Sequence, residues 1–457
     1  MNPRRRRLLL GLAALGSGLL PSALRAQLQA YSPFVWRNWS GGQRCIPEGR
    51  VAPESEQALI DWLRSSRGPL RPVGAGHSFS PLVPTSGQIL SIGKLSGMIC
   101  YDEASSQADF WAGTRLSEIG EPLLSVGQGL VNLSDIDYQT LAGALATGTH
   151  GTGIRLGAMP TQIVGLRLIT PDGEVRDCDA EQHPELFQAA RVSLGALGVI
   201  SRYRLQNRKA YKLHERQWMT PTEELLSQVD ELVAKHRHFE MMPLLHSDYA
   251  LAISADESQE TPTAPPTEDE GGYVDLLRLL DKYGSDAPSL RSAILDLVGA
   301  NVSFPDRIGW SHRILANVRN VRWNEMEYQI PAAAGPECLR EILRTVKQRQ
   351  LRAWFPLEYR YVQGDDIWLS PFQGEDKCSI SVHQYHDMDY QDYFGQIEPI
   401  FWKYGGRPHW GKLHSLNHHV LRELYPHWQD FCELRAELDP QGRMLNGHLR
   451  SVFGVGA

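Results

Sequence analysis

Two glycine-rich stretches in the first third of the chain constrain its fold more than any other feature. The first is RPVGAGHSFSPL, residues 71–82, and the second is TLAGALATGTHGTGIRLG, residues 140–157. Small residues expose backbone N–H groups, which lets a loop approach phosphate oxygens closely. Neither stretch has the spacing of a P-loop or of a nicotinamide dinucleotide loop, so both of those readings are excluded. Taken alone, either stretch could also be only a tight turn.

The length of 457 residues exceeds what one hydrophobic core usually supports, so we expect two domains or one domain with an insertion. Small α/β units are indicated up to about residue 208. Three later runs, NEMEYQIP, AWFPLEYRYV and CSISVHQY, are strand-like. Period-two alternation places Glu358 and Arg360 on one face of the second run. In the third run, the same alternation places these residues on one face: Ser379, Ser381, His383 and Tyr385. A sheet that covers a polar ligand would use such strands.

Three further motifs narrow the interpretation: SLGALGVISRYRL (193–205), RPHWGK (407–412) and DPQGRMLNGHL (439–449). Together with GAGHS and GTHGTG, they resemble the flavoprotein family related to vanillyl-alcohol oxidase. Within it, the chain is similar to the group of sugar-1,4-lactone oxidases, which act on gulonolactone, galactonolactone or arabinonolactone, and alditol oxidases. The resemblance runs from about Ser32 to the C-terminus.

The resemblance implies an α+β fold with a two-subdomain FAD-binding domain and an inserted antiparallel-sheet cap domain for the substrate. Residues 32–208 would form the FAD-binding domain and residues 209–430 the cap. Residues 431–457 would return to the FAD-binding domain.

The resemblance also implies FAD as the cofactor, covalently bound through His77. The alternative for His77 is a hydrogen bond near FAD without a covalent bond. The other residues implied to bind FAD come from three loops: Gly74, Ala75, Gly76, Ser78 and Ser80; Gly143, Thr147, Gly148, His150 and Gly151; and Gly198, Val199 and Ile200.

The substrate side implied by the resemblance rests on LEYRYV and RPHWGK. Glu358 would accept hydrogen bonds from sugar hydroxyls and take a proton, and Arg360 or Lys412 would stabilise the reduced flavin. His383 is expected in the same site. Tyr328 is expected either near this pocket or in the core.

The function implied is the oxidation of a CH–OH group, first in an aldono-1,4-lactone and second in an alditol. The electrons would pass to O2 or to a respiratory acceptor. Two alternatives from other classes are a redox-inactive sugar-binding protein and a metalloprotein. The metalloprotein would bind its ion through a histidine cluster: His383, His386, His409, His414, His418 and His419. These histidines have no recognisable ligand spacing, so we predict no metal.

The first 26 residues, with four arginines before an apolar run and small residues at Ala23 and Ala26, indicate a twin-arginine export signal. The alternative is an uncleaved signal that anchors the protein at the membrane. We therefore expect a periplasmic protein. Cleavage would remove five arginines and change the formal charge from −7 to −12, which disfavours a nucleic-acid partner. Residues 256–270, with six acids and three prolines, are expected to form a surface loop or a disordered insertion.

Overall fold

The computed structural model describes residues 34–263, 288–317, 319 and 321–456. The predicted signal lies outside these residues. Within the described parts of the chain, no helix is both long and apolar enough to cross a membrane.

The N-terminal half contains a parallel sheet, a larger antiparallel sheet and two small hairpin-like pairs. In the parallel sheet the order is β3-β5-β4, and in the five-stranded antiparallel sheet it is β10-β9-β11-β7-β6. The pairs are β1 with β2 and β8 with β12. The strand bounds are β1 Trp36–Arg37, β2 Arg44–Cys45, β3 Gly49–Val51, β4 Leu70–Val73, β5 Gln88–Ser91, β6 Met98–Asp102, β7 Gln107–Trp111, β8 Gln128–Gly129, β9 Ile163–Ile169, β10 Val175–Cys178, β11 Val199–Gln206 and β12 Arg208–Lys209.

The later part of the chain forms one eight-stranded antiparallel sheet. Its strand order is β16-β13-β15-β14-β18-β19-β17-β20, so some neighbours in space, such as β14 and β18 or β17 and β20, are distant in sequence. The bounds are β13 Lys212–Pro221, β14 His238–Pro243, β15 Tyr249–Ser258, β16 Arg307–Trp310, β17 Trp323–Pro331, β18 Glu358–Val362, β19 Lys377–Tyr385 and β20 Arg407–Pro408.

The helices cover the outer faces of these sheets. Helix α1 illustrates why they begin where they do, since the Ser55 side chain accepts a hydrogen bond from the Ala58 N–H and caps its first turn. The bounds are α1 Glu56–Ser65, α2 Gly120–Ser125, α3 Leu141–Ala146, α4 Pro184–Arg191, α5 Thr222–Lys235, α6 Pro288–Asn301, α7 Ser311–Leu315, α8 Gly335–Arg349, α9 Gln391–Lys403, α10 His418–Leu424, α11 Trp428–Leu438 and α12 Gly447–Phe453.

The register of the central strands separates the eight-stranded sheet into two chemically different faces. Glu325 lies opposite His383, and Glu358 lies opposite Ser381. Because side chains alternate along a strand, the apolar residues between these polar ones share the other face. That other face is fully or almost fully buried in the core: Met241, Met326, Tyr328, Ile330, Tyr359, Ile380 and Val382.

The C-terminal segment packs against the N-terminal half. The Leu70 N–H donates to the Arg443 carbonyl oxygen at 2.9 Å. The Asn446 side-chain amide donates to the carbonyl oxygens of Pro81 and Pro84 at 2.8 and 2.9 Å. The loop between β4 and β5 is therefore held by residues of the C-terminal segment.

The prediction of a surface loop over residues 256–270 is wrong for the first residues of that range. Strand β15 continues through Ser258, because Lys212 and His214 of β13 pair with Ser258 and Asp256 along the ladder. Asp256 is held further by His236, whose Nδ1 lies 2.6 Å from its carboxylate. Residues 264–270 lie outside the described part of the chain.

Candidate active site

The first glycine-rich loop is fixed in a way that leaves its backbone N–H groups free. The Gly76 carbonyl oxygen accepts from the Trp39 N–H at 2.8 Å, and the Ser78 carbonyl oxygen accepts from the Asn38 side chain at 3.0 Å. Within the described residues, the N–H groups of residues 75–78 donate no hydrogen bond. A run of free N–H groups is the backbone arrangement that binds anions such as phosphate.

Glycine is required at two positions of this loop. A Cβ atom at Gly74 would lie 2.0 Å from the Thr140 hydroxyl oxygen, so even alanine would push the two loops apart. Gly76 has a φ of +72°, which L-residues with side chains rarely adopt. The glycines therefore let the first loop lie directly against the N-terminus of helix α3.

A cavity runs along this loop, and most of the residues predicted to bind FAD line it. Other residues that line the cavity include Arg71, Arg115 and Tyr203. The predicted residues in its wall are Gly74, Ala75, Gly76, His77, Ser78, Ser80, Gly143, Thr147, Gly198, Val199 and Ile200.

Three predicted residues do not line the cavity: Gly148, His150 and Gly151. The second glycine-rich stretch also offers fewer free N–H groups than expected. Its first half forms helix α3, and the N–H groups of Thr147 and Gly148 donate to the helix carbonyl oxygens. The chain then turns away from the cavity, so that His150 reaches the eight-stranded sheet instead.

The His77 ring lies between two aromatic side chains. It stacks on Trp39 with the ring centroids 4.9 Å apart, and on the far side Tyr138 is 6.4 Å away. Burial, together with the positive charges of Lys412 and Arg115, lowers the pKa of His77 to about 4. Within the described residues its ring nitrogens have no hydrogen-bond partner. His77 is thus a neutral imidazole with its nitrogens available.

The eight-stranded sheet presents a cluster of charged and polar side chains that we call the polar face: Glu240, Glu325, Glu327, Glu358, Arg360, Ser379, Ser381 and His383. Arg360 lies between two carboxylates, with Nε 2.5 Å from Glu240 and Nη2 3.0 Å from Glu358. Burial alone would lower the pKa of Arg360, but these two carboxylates raise it overall, so the guanidinium remains charged.

Lys412 is the second cation over the polar face. Its ammonium group contacts Glu325 directly and lies 3.6 Å from Glu327. Burial alone would lower the pKa of Lys412, but the two carboxylates raise it overall. The same balance holds for His383, whose Nε2 is 3.5 Å from Glu325 and whose pKa is raised.

Two groups of side chains in this region have the residue types and spacing of a metal site. The first is His150, Glu327 and His409, and the second is Glu325, Glu358 and His383. Hydrogen bonds and cations already engage their carboxylates. Glu327 accepts from the Ser379 hydroxyl at 2.9 Å and lies 2.6 Å from the His150 ring. Because Lys412 lies against both groups, the prediction of no metal site is kept. Of the six histidines in the alternative cluster, only His383 and His409 reach these groups.

The first loop and the polar face meet along the RPHWGK segment. The Phe79 N–H donates to the Gly411 carbonyl oxygen at 2.7 Å, and the Ser80 hydroxyl donates to the Trp410 carbonyl oxygen at 2.6 Å. Lys412 lies 5.3 Å from the centre of the Phe79 ring. The structure therefore brings His77, Lys412, Glu358, Arg360 and His383 to one region.

Tyr328 does not belong to this region. It lies on the other face of β17, where its hydroxyl donates to Glu398 at 2.6 Å and its ring stacks on Phe401. Its role is that of a core tyrosine, which was one of the two expectations.

Sequence reasoning missed several residues of the site: Trp39, Arg71, Glu240, Glu325 and Glu327. A signal existed for two of them. Glu325 and Glu327 alternate in NEMEYQIP, a run that was interpreted as a strand, and period two places both on one face. Glu240 has no comparable signal, because its partner Arg360 is on another strand.

The residues of the cavity fit a dinucleotide such as FAD. The free N–H groups of residues 75–78 suit a diphosphate, and Gly74 and Gly76 allow the backbone to approach it. The neutral His77 ring stands beside Lys412, between the cavity and the polar face.

Comparisons with known proteins agree on the kind of molecule. The family described as "FAD binding domain" matches residues 47–179, and the family described as "D-arabinono-1,4-lactone oxidase" matches residues 203–452. The chain is 36% identical to the L-gulono-1,4-lactone dehydrogenase of Mycobacterium tuberculosis, over 92% of this chain and 99% of that protein. It is 29% identical to the L-gulonolactone oxidase of Bos taurus, over 93% and 100% of the two chains.

More distant similarities extend the same picture. The alditol oxidase of a Streptomyces species is 26% identical over 91% of this chain and 98% of that protein. Among solved structures, cholesterol oxidase from Brevibacterium sterolicum superposes with a TM-score of 0.76 at 14% identity, covering 92% of this chain and 97% of that one. This similarity shows the α+β, two-subdomain FAD-binding fold.

Proposed function

The chain belongs to the D-arabinono-1,4-lactone oxidase family and is an FAD-dependent oxidoreductase of aldonolactones, and from this premise we propose roles for its residues. The lactone lies on the polar face, between Glu358, Arg360 and His383. Lys412 closes the site on the side of the first loop. The single observation that supports this arrangement is the position of Lys412, which contacts Glu325 and also the Phe79 ring.

FAD, when bound, supplies the hydride acceptor. Glu358 accepts hydrogen bonds from the substrate hydroxyls and takes the hydroxyl proton on its carboxylate oxygen as the CH–OH carbon is oxidised. Arg360, held by Glu240 and Glu358, orients the substrate oxygens. Lys412 holds a fixed positive charge at the boundary between the face and the cavity, which favours a step that adds negative charge there.

Anaerobic mixing with substrate tests this function. We expect an aldono-1,4-lactone to bleach the yellow flavin absorbance faster than the corresponding alditol does. Faster bleaching by the alditol would instead make the protein an alditol oxidase. No bleaching by either class would overturn the proposal. A parallel measurement of hydrogen peroxide against reduction of an artificial acceptor decides between O2 and a respiratory acceptor as the destination of the electrons.

We further propose that His77 is bonded covalently to FAD. Its neutral ring and its lack of a hydrogen-bond partner within the described residues support this, because a covalent bond to carbon needs a free, unprotonated ring nitrogen. After acid precipitation and proteolysis, the flavin should travel with the peptide that contains His77. Flavin that is entirely released into the acid supernatant would show that FAD is held without a bond.

We also propose export through the twin-arginine route, on the basis of residues 1–26. Replacement of Arg4 to Arg7 by lysine should leave the protein in the cytoplasm, measured by cell fractionation. Unchanged export of this variant would contradict the proposal.

A further inference from the structure

Arg71, on strand β4, is an unusual arginine because it is almost completely buried, with 2% of its surface exposed. Its guanidinium donates only to backbone carbonyl oxygens. Nε donates to Leu82 at 2.7 Å, Nη2 donates to Leu194 at 2.7 Å, and Nη1 donates to Gly195 at 2.9 Å and also to Met444. These acceptors belong to three segments: the first loop, the loop before β11, and the C-terminal segment.

Within the described residues, no carboxylate forms an ion pair with Arg71. An uncompensated charge in a protein interior is costly, and buried charges are normally paired. Burial accordingly lowers the pKa of Arg71, to about 9, with no carboxylate acting against it. Arg71 remains protonated at neutral pH, so its positive charge lacks a counter-charge within the protein.

The location of Arg71 indicates where the counter-charge comes from. Arg71 lines the same cavity as the loop of residues 74–78, three residues before that loop begins. That loop presents the free N–H groups, and Glu118 is the acidic residue in the cavity wall. Glu118 accepts hydrogen bonds from the Arg115 N–H and the Ser96 hydroxyl and does not pair with Arg71. The free N–H groups, together with Arg71, favour an anionic ligand at this end of the cavity.

We propose that Arg71 is a positioning residue for the cofactor, whose buried charge is compensated by the diphosphate of FAD and whose donors hold three segments of the cavity in place. This inference concerns cofactor binding and does not depend on which lactone is oxidised. Arg71 contacts no reacting atom, so its substitution acts through the retention of FAD.

The test uses a His77→Ala background, in which FAD exchanges freely. FAD affinity is measured by fluorescence quenching, and the melting temperature is measured with and without FAD. We expect Arg71→Met to weaken FAD binding by about 30-fold or more, because truncation of one partner of a buried charge pair costs at least 2 kcal/mol. The rise in melting temperature on adding FAD should shrink in parallel.

Arg435→Met is the matched control. Arg435 is also buried and donates to a backbone carbonyl oxygen, that of Asp439, but it does not line the cavity. We expect this variant to lower the melting temperatures with and without FAD equally. An Arg71→Met variant that behaves in this way would overturn the proposal, since it would show a purely structural role.

Arg71→Lys keeps the charge and loses most of the carbonyl contacts. We expect it to melt at a lower temperature without FAD and to bind FAD within about tenfold of the background, less than the loss on removing the charge. If Arg71→Met does not fold, this variant decides the question. FAD binding weakened by about 100-fold or more would then refute compensation by charge.

Discussion

The two parts of the active site recognise their ligands by opposite means. The cofactor cavity is lined by glycine loops with free backbone N–H groups and contains Arg71, a buried cation without a carboxylate partner among the described residues. On the polar face, side chains dominate, and four carboxylates stand against two cations: Glu240, Glu325, Glu327 and Glu358 against Arg360 and Lys412.

This difference teaches what each part can bind. A cavity with uncompensated positive charge suits an anionic group such as a diphosphate. A face on which both cations are already paired, and carboxylates are in excess, suits a neutral polyhydroxy compound. The cofactor is thus selected by charge and the substrate by hydrogen bonds, and the following predictions test that contrast.

The largest effect is expected from Lys412→Met on the polar face. Loss of this cation should lower the rate of flavin reduction by about 10²–10³-fold, as for other groups that stabilise developing charge. Single-turnover mixing with lactone measures it. Lys377→Met is the matched control, because Lys377 is buried in β19 and pairs with Glu375 at 2.8 Å rather than with Glu325 or Glu327. Equal loss in both variants would contradict a role for Lys412 in the reaction.

The charge of the substrate should matter almost as much. An aldonate carries a carboxylate that would meet the excess of acids on the polar face, and like charges brought together cost several kcal/mol. We expect kcat/KM for an aldonate to be at least about 100-fold below that for its 1,4-lactone. Steady-state kinetics on freshly dissolved lactone measures this ratio. Similar values for the two compounds would break the contrast between the two regions.

In the cofactor cavity, Gly74→Ala should weaken FAD binding. The added methyl group meets the Thr140 hydroxyl at 2.0 Å, and overpacking of this kind costs about 1–3 kcal/mol, or roughly 5- to 150-fold in affinity. The flavin content of the purified protein and its affinity in a His77→Ala background measure the loss. Gly395→Ala, where a Cβ atom would meet nothing within 4 Å, should retain full flavin content.

The smallest effect concerns acid stability and is shared by both regions. The pKa of His77 in the cavity and that of His409 beside the polar face are both lowered to about 4, chiefly by burial. The unfolded chain therefore binds more protons than the folded one between pH 6.5 and 4. Stability is complete above pH 6.5 and decreases as the pH falls below it, by at most about 1.4 kcal/mol per pH unit for each histidine.

Melting temperatures between pH 7 and 5 measure this decrease. The slope should become shallower in His409→Asn, and the same measurement on His427→Asn, a substitution of an exposed histidine, is the comparison. A slope that is the same in both variants would show that His409 is not held neutral.

The sequence alone predicted those features of the site that depend on a local pattern of residues. Strand periodicity placed Glu358 and Arg360 on one face, and the structure finds them there, bridged at 3.0 Å. The glycines of the first loop indicated close backbone approach, and Gly74 has it. These features depend on residues a few positions apart.

The sequence alone did not predict those features of the site that depend on which helices, strands and loops contact each other. His150 was expected at the cofactor, but it does not line the cavity and pairs with Glu327 of the eight-stranded sheet, more than 170 residues later in the chain. Arg71 was not singled out, since three of its four acceptors, Leu194, Gly195 and Met444, lie on two segments far away in the chain. Neither fact can be read from periodicity or spacing.

The hydrogen bonds of Asn446 to Pro81 and Pro84 have a consequence for truncation. They join residues 365 and 362 positions apart, and the neighbouring Met444 carbonyl oxygen accepts from Arg71 of the cavity wall. The cavity is therefore supported from behind by a segment that does not line it. A chain cut short before Met444 loses this support although every residue of the cavity wall is still present.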